Sequence, residues 1–169
     1  MHSPSSNDRD YNLATLIRQT RDAIIKARER ELKRTGISSI QAALLFTLKE
    51  IGDEATPAEI SRRLLREPHS VSTLLNRMEK RGLIKKIKDL PRKNMVRVSI
   101  TEKGQAVYRR TTERAGMHEI MSVLSEKDKR ELRLLLEKLR NKALKLASIR
   151  YSMGFLEAVP VREYSPIDE

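Results

Sequence analysis

A short stretch from His69 to Arg81 carries side chains whose types and spacing suit the reading of base edges in DNA. Its apolar residues recur at helical spacing and predict one buried face: Val71, Leu74, Leu75 and Met78. The other positions are mostly short and polar, and we select as candidates for base contacts Ser70, Ser72, Thr73, Asn76 and Arg77. A helix of this kind fits the major groove, where Asn favours adenine and Arg favours guanine. Taken alone, the pattern is more often that of an ordinary solvated helix.

Basic residues flank this stretch on both sides and favour a DNA-binding helix over an ordinary solvated one. Arginines precede it in the chain, and lysines and a basic loop follow it. Cations placed this way can hold phosphates, which position a protein on DNA without specifying sequence. The candidates for phosphate or wing contacts are Arg62, Arg66, His69, Lys80, Lys86, Arg92 and Lys93.

Two helices and a strand pair must position these side chains. Thr56, Pro57 and Glu59 predict a capping box at the start of the first helix, and Pro68 predicts its end. Gly82 predicts the end of the second helix. The runs 83–88 and 95–100 bracket a turn-rich loop, which predicts a β-hairpin with a basic tip. A helix-turn-helix followed by such a hairpin is a winged helix.

Long amphipathic helices are predicted on either side of this region, over 11–34, from Ser38 or Ser39 to Ile51, over 101–124 and from Ser125 onward. Their apolar stripes are richer than a small monomeric core needs, so we expect them to interlock across a two-fold axis. The alternative is packing within one chain. The dimerisation candidates are Leu13, Leu16, Ile17, Leu132, Leu136, Leu139 and Leu146.

Charge and composition favour a polyanionic partner and argue against catalysis. The 169 residues carry a net charge of +12, and residues 56–104 alone hold 13 basic and 5 acidic residues, net +8. With 0 cysteines there is no disulfide or thiolate metal site. His2, His69 and His118 have no metal-ligand spacing. We therefore expect no enzyme, metal or cofactor.

No apolar run reaches the length of a membrane span, and the first residues hold no hydrophobic signal-peptide core. These features predict a cytoplasmic protein without a membrane partner.

Two motifs carry a family resemblance that spans about residues 11–148. They are Arg77-Met78-Glu79-Lys80-Arg81-Gly82-Leu83-Ile84 and Ser99-Ile100-Thr101-Glu102-Lys103-Gly104. Together with the order of elements, they resemble the MarR (multiple antibiotic resistance regulator) family. The resemblance implies a dimer that binds a pseudo-palindromic operator, often as a repressor. It also implies a small-molecule effector bound between the dimerisation and DNA-binding regions, for which we consider the surroundings of Tyr11, Phe46 and Met117.

The wing tip departs from the family pattern. The family usually has Asp-Pro-x-Asp-Arg-Arg there, whereas this chain has Asp89-Leu90-Pro91-Arg92-Lys93-Asn94. The Asp–Arg pair that would brace the tip is absent, and lysine is a more strongly hydrated charge than arginine. We expect this wing to anchor phosphates more than it reads the minor groove.

The sequence thus predicts a mainly α fold with a small β-hairpin wing, a winged helix-turn-helix plus an N- and C-terminal helical dimerisation region. We expect a disordered lead at 1–10, the dimerisation region at 11–52 and 105–150, the DNA-binding region at 53–104 and an irregular acidic tail at 151–169. The predicted function is a homodimeric, sequence-specific regulator of transcription that binds double-stranded DNA and acts as a repressor. The alternatives are a weakly specific architectural DNA binder and a helical adaptor for an acidic protein.

Overall fold

The computed structural model describes residues 6–88, 96–112 and 115–147. Within them, seven α-helices and two strands follow in this order: α1 Ser6–Leu32, α2 Ser39–Ile51, α3 Pro57–Leu64, α4 Pro68–Lys80, β1 Ile84–Ile87, β2 Arg97–Ile100, α5 Glu102–Thr111, α6 Ala115–Met121 and α7 Glu126–Leu146. The strands form an antiparallel pair in which Ile84 faces Ile100 and Ile87 faces Arg97. The mainly helical fold with a small hairpin is confirmed.

Side-chain caps begin several of these helices where the sequence predicts them. Ser38 and Gln41 form a capping box at the start of α2, and Ser125 and Asp128 form another at the start of α7. The Thr101 hydroxyl accepts a hydrogen bond from the Gly104 amide at 3.0 Å and so caps α5. Gly82 has a φ of 69°, the left-handed conformation expected just beyond α4.

The boundary between α3 and α4 differs from the prediction. Helix α3 ends at Leu64, where Leu65 adopts a left-handed φ of 50°, and Pro68 is the first residue of α4 rather than the residue that stops α3. Proline suits that place because its fixed φ is helical and its missing N–H has no partner there to lose. The capping box at Thr56 is also only half formed, since Glu59 turns to arginines instead.

Two further boundaries are corrected. The predicted helix over 101–124 is two helices, because hydroxyls near residue 111 turn back on the chain: Thr111 Oγ1 donates to Tyr108 O at 2.7 Å and Thr112 Oγ1 to Arg109 O at 2.6 Å. The disordered lead predicted at 1–10 is too long, since α1 already begins at Ser6. Residues 1–5 and the tail 151–169 lie outside the described residues.

The core lies where α2, α3, α4, the hairpin and α5 meet. Its largest fully buried side chains include Leu44, Leu45, Ile60, Leu75, Met78 and Val98. Helix α2 therefore packs directly beneath the helix-turn-helix. The Val98 amide donates to the Ala55 carbonyl at 2.8 Å, which ties β2 to the segment before α3.

Helix α5 reaches this core through a very close approach at Gly104. A Cβ at that position would lie 2.0 Å from the Leu83 carbonyl oxygen and 2.7 Å from Ile100 Cγ2. Glycine is thus required where α5 crosses the base of the hairpin.

The structure also bears on membrane insertion. Across the described ranges, no helix combines the length and the apolar character needed to cross a bilayer.

Candidate nucleic-acid interface

Helix α4 separates its buried residues cleanly from its polar ones. Val71, Leu75 and Met78 are 0% exposed, and Leu74 packs against the same core. The polar face of α4 consists of exposed side chains: His69, Ser72, Thr73, Asn76, Arg77 and Lys80. Ser70 differs from them, because it is half-buried and lines a cavity beneath the helix. The predicted apolar face is confirmed, and base contact by the polar face stays a prediction.

Hydrogen bonds within the turn between α3 and α4 fix how α4 follows α3. Ser61 contacts Arg66 twice, because its hydroxyl donates to the Arg66 carbonyl and its own carbonyl accepts from the Arg66 amide at 3.1 Å. The Val71 amide then bonds to the Glu67 carbonyl at 3.1 Å and begins the hydrogen bonding of α4. The tight turn between two short helices that a helix-turn-helix requires is thus present.

Two arginines of α3 share one carboxylate. Glu59 accepts hydrogen bonds from Arg62 Nε at 3.0 Å and from Arg63 Nε at 2.9 Å. Burial alone raises the pKa of Glu59, but the hydrogen bonds and charges of Arg63 and Arg62 outweigh burial and hold that pKa below its usual range. The Arg62 side chain is still 48% exposed and that of Arg63 only 16%, so Arg62 is the one placed to approach a phosphate.

The first strand of the hairpin is bound to α4 through Lys86. Its amide donates to Glu79 Oε1 at 3.2 Å, and its Nζ lies 3.0 Å from Glu79 Oε2. The same Nζ donates to Asn76 Oδ1. The hydrogen bond from the Lys86 side chain is the main cause that lowers the pKa of Glu79. Asn76 and Lys86, chosen separately from the sequence, therefore lie side by side.

The remaining basic candidates are placed as follows. Arg66 is exposed at the turn and also lines the cavity beneath α4. Lys85 and Lys88 are exposed on the hairpin. Arg92 and Lys93, at the predicted wing tip, lie outside the described residues.

The apolar stripes of the end helices are exposed in the single chain. All seven dimerisation candidates lie at least 37% exposed, from Ile17 at 37% to Leu146 at 74%. Ile17 of α1 lines one groove of about 600 Å³ together with Leu132, Leu136 and Leu139 of α7. Against the described part of the chain, α7 buries none of its residues.

A second cavity, of about 820 Å³, lies between α1, α2, the α3–α4 turn and α6. Apolar side chains, Met117 among them, line it together with four arginines and one carboxylate: Arg21, Arg28, Arg63, Arg66 and Glu67. A smaller pocket beside it is lined by Phe46 as well as Met117. Tyr11 lies elsewhere, 75% exposed on α1.

Sequence reasoning missed the acidic partners and one arginine. Glu59 and Glu79 organise the basic residues around α4, and Arg28 donates to the Thr111 carbonyl at 2.5 Å while it lines the cavity. Helical spacing signals the Glu59 pairs, since Arg62 and Arg63 follow at three and four residues. The other contacts cross between elements and leave no periodic signal.

Over the ranges that are described, no three His, Asp or Glu side chains lie close enough to hold a metal ion.

Comparisons with known proteins place this geometry in a family. A model described as the MarR family matches residues 35–91. The organohalide-sensing RdhR-CbdbA1625 transcriptional regulator, solved with 2,4-dichlorophenol and ligand-free, is 34% identical, with 90% of this chain and 95% of that chain covered and a TM-score of 0.77. No curated protein matches the sequence.

More distant structures share the fold. A MarR variant from E. coli complexed with operator DNA is 19% identical, with 80% of this chain and 98% of that chain covered and a TM-score of 0.73. The S. aureus MepR–DNA complex is 22% identical, covers 77% and 95% of the two chains, and has a TM-score of 0.71. With the polar face of α4, the hairpin and a 34% identical relative aligned almost end to end, the chain belongs to the MarR family of transcription regulators.

Proposed function

We propose that this protein is a transcriptional repressor that binds a pseudo-palindromic DNA operator as a homodimer. The observation that carries the proposal is the polar face of α4, on which Asn76, Arg77 and their neighbours are exposed above a fully buried apolar face. Side chains of these types discriminate base edges in the major groove. The exposed cations of α3 and the hairpin would hold the flanking phosphates.

The dimer is supported by the groove that α1 and α7 share. A 21-residue helix whose leucines are exposed leaves a continuous apolar surface that a second copy of the chain would cover. A two-fold axis there would present two α4 helices to successive major grooves, about 34 Å apart. In this proposal residues 53–104 hold the DNA, and residues 11–52 and 105–150 make the dimer while α2 also supports the helix-turn-helix.

The cavity between α1, α2, the α3–α4 turn and α6 is the proposed effector site. The cavity contacts the proposed dimerisation region through Arg28 of α1 and the proposed DNA-binding region through Arg63 of α3. Apolar side chains together with four arginines, Arg21, Arg28, Arg63 and Arg66, suit an aromatic anion such as a phenolate. A similar regulator has been solved with 2,4-dichlorophenol. An anion that drew Arg63 away from Glu59 would disturb the first helix of the helix-turn-helix.

Selection from a randomised double-stranded DNA library at about 150 mM salt tests the proposal. We expect a two-fold symmetric site bound roughly 10³-fold or more above average DNA, and loss of binding on addition of 2,4-dichlorophenol. Arg77→Ala should weaken binding and relax one position of each half-site by about 1–3 kcal/mol.

Other outcomes of the selection support the competing interpretations. If the best site and average DNA are bound about equally, with a steep salt dependence, the protein is an architectural DNA binder. If no DNA is bound at any salt concentration, the remaining interpretation is a helical adaptor that binds an acidic protein.

A further inference from the structure

We infer that Asn76 and Lys86 form one donor surface that selects guanine in the operator, and that Glu79 holds Lys86 in place for this purpose. The inference rests on the proposed function, because it needs α4 in the major groove. It departs from the expectation that Asn76, taken alone, reads adenine and that Lys86 holds a phosphate.

The orientation of the Asn76 amide follows from its neighbour. A lysine ammonium carries hydrogen-bond donors and no acceptor, so the Asn76 atom that Lys86 Nζ contacts is the amide oxygen, Oδ1. The amide nitrogen, Nδ2, is therefore the end of the side chain left for a ligand. Asn76 is exposed on α4, so that nitrogen is accessible.

This orientation disfavours adenine. An asparagine reads adenine by accepting from the N6 amino group and donating to N7, which requires both ends of its amide. Here the Lys86 ammonium lies beside Asn76 Oδ1, and its N–H donors would face the N–H donors of the adenine amino group. Guanine instead offers two neighbouring acceptors, O6 and N7, in the major groove. Asn76 Nδ2 and Lys86 Nζ match those two acceptors.

Glu79 supplies the restraint that keeps Lys86 beside Asn76. Its two carboxylate oxygens bind Lys86 twice, at the amide and at Nζ, with distances of 3.2 and 3.0 Å. Two of the three Nζ donors are then engaged, by Glu79 and Asn76, and the third is left for a base. The Lys86 side chain is only 25% exposed, whereas Lys85 beside it is exposed on the other face of the strand. Glu79 is thus a positioning residue.

The test compares base preference, position by position, for the full-length protein and four variants selected on the same randomised DNA. With wild type we expect a guanine in each half-site, preferred about tenfold over adenine. Lys86→Met frees Asn76 Oδ1 and should turn that position toward adenine. Asn76→Ala should remove the preference altogether.

Two further variants separate base selection by Lys86 from a nonspecific effect of its positive charge. Lys85→Met removes the same charge one residue away and should lower affinity for all sequences without changing any base preference. Glu79→Gln weakens the hold on Lys86 and should reduce the guanine preference, although it removes a negative charge and so raises affinity overall. Thermal unfolding of each variant, with and without DNA, separates misfolding from lost contacts.

Each result decides the inference. If wild type selects a symmetric operator but Lys86→Met behaves like Lys85→Met, then Lys86 is a phosphate anchor and the inference is wrong while the proposed function stands. If wild type prefers adenine at the position sensitive to Asn76→Ala, the inference is wrong as well. If wild type shows no sequence preference, the proposed function and this inference fail together.

Discussion

The guanidinium of Arg28 donates a hydrogen bond to the main-chain carbonyl of Thr111 at 2.5 Å and ties the C-terminal part of α1 to the last turn of α5. The same guanidinium pairs with Glu31, and the Arg28 side chain is only 14% exposed. This contact joins parts of the chain 83 residues apart, at the wall of the proposed effector cavity.

Replacing Arg28 should therefore destabilise the fold. Arg28→Met keeps most of the side-chain volume but leaves the Thr111 carbonyl and the Glu31 carboxylate without this donor, which should cost about 1–3 kcal/mol. Urea unfolding measures the change. Arg21→Met is the control, because Arg21 is 63% exposed and pairs with the adjacent Asp22, and it should change the free energy of unfolding by less than about 0.5 kcal/mol. Equal losses in both variants would contradict the prediction.

Gly104→Ala should force α5 away from the hairpin. Its Cβ would lie 2.0 Å from a main-chain oxygen, which no side-chain movement relieves. Overpacking of this kind costs about 1–3 kcal/mol or more in free energy of unfolding, measured by chemical denaturation. Gly116→Ala is the matched control, because its Cβ would meet only the Glu31 side chain at 3.7 Å, and it should stabilise α6 by about 0.4–1 kcal/mol. A stable Gly104→Ala variant would show that the close approach can relax.

A charge on the apolar stripe of α7 should prevent dimerisation. Leu136→Glu places a carboxylate in the groove that α1 and α7 share, and sedimentation should then show a monomer that has lost operator affinity. Asn141→Glu adds the same charge roughly 140° around the helix and should leave the dimer intact. A dimer that persists in Leu136→Glu would place the interface elsewhere.

Acid should weaken the contribution of Glu59 to stability. Because its pKa is below the ordinary value of 4.5, the ionised carboxylate stabilises the fold fully above that pH, and the contribution is lost as the pH falls from 4.5 through the lower folded value. The difference in unfolding free energy between wild type and Glu59→Gln should be constant near neutral pH and shrink in that acidic window. In a chain carrying Arg62→Gln and Arg63→Gln, the same substitution should show much less acid dependence. A difference that does not change with pH would refute the role of the arginines.

Local patterns predicted most of the fold. Serine and threonine caps and the 3.6-residue spacing of apolar side chains placed the starts of α2, α3, α5 and α7 and the buried face of α4, because these signals act within a few residues. The break after Thr111 was not predicted, since hydroxyls that bond back to the main chain compete with the helix without altering its apolar period.

The sequence predicted which residue types make up the candidate interface, but not which of its residues contact one another. Asn76 and Lys86 were each selected because of their chemistry, yet their contact joins a helix to a strand and depends on Glu79, which carries no separate sequence signal. Gly104 likewise reads as a poor helix residue until the Leu83 carbonyl is seen beside it. Contacts between elements depend on tertiary packing, which a single sequence does not display.

The exposed leucines of α7 also bear on how this protein accumulates in a cell. In proteins a helix gains most of its stability by packing its apolar face, so in the proposed dimer the last helix gains that packing only when two chains meet. Until then a newly made chain remains open to proteases, and pairing depends on the square of its concentration. The surviving amount should then rise more steeply than the rate of synthesis, so that the regulator is scarce below a threshold of expression and persistent above it.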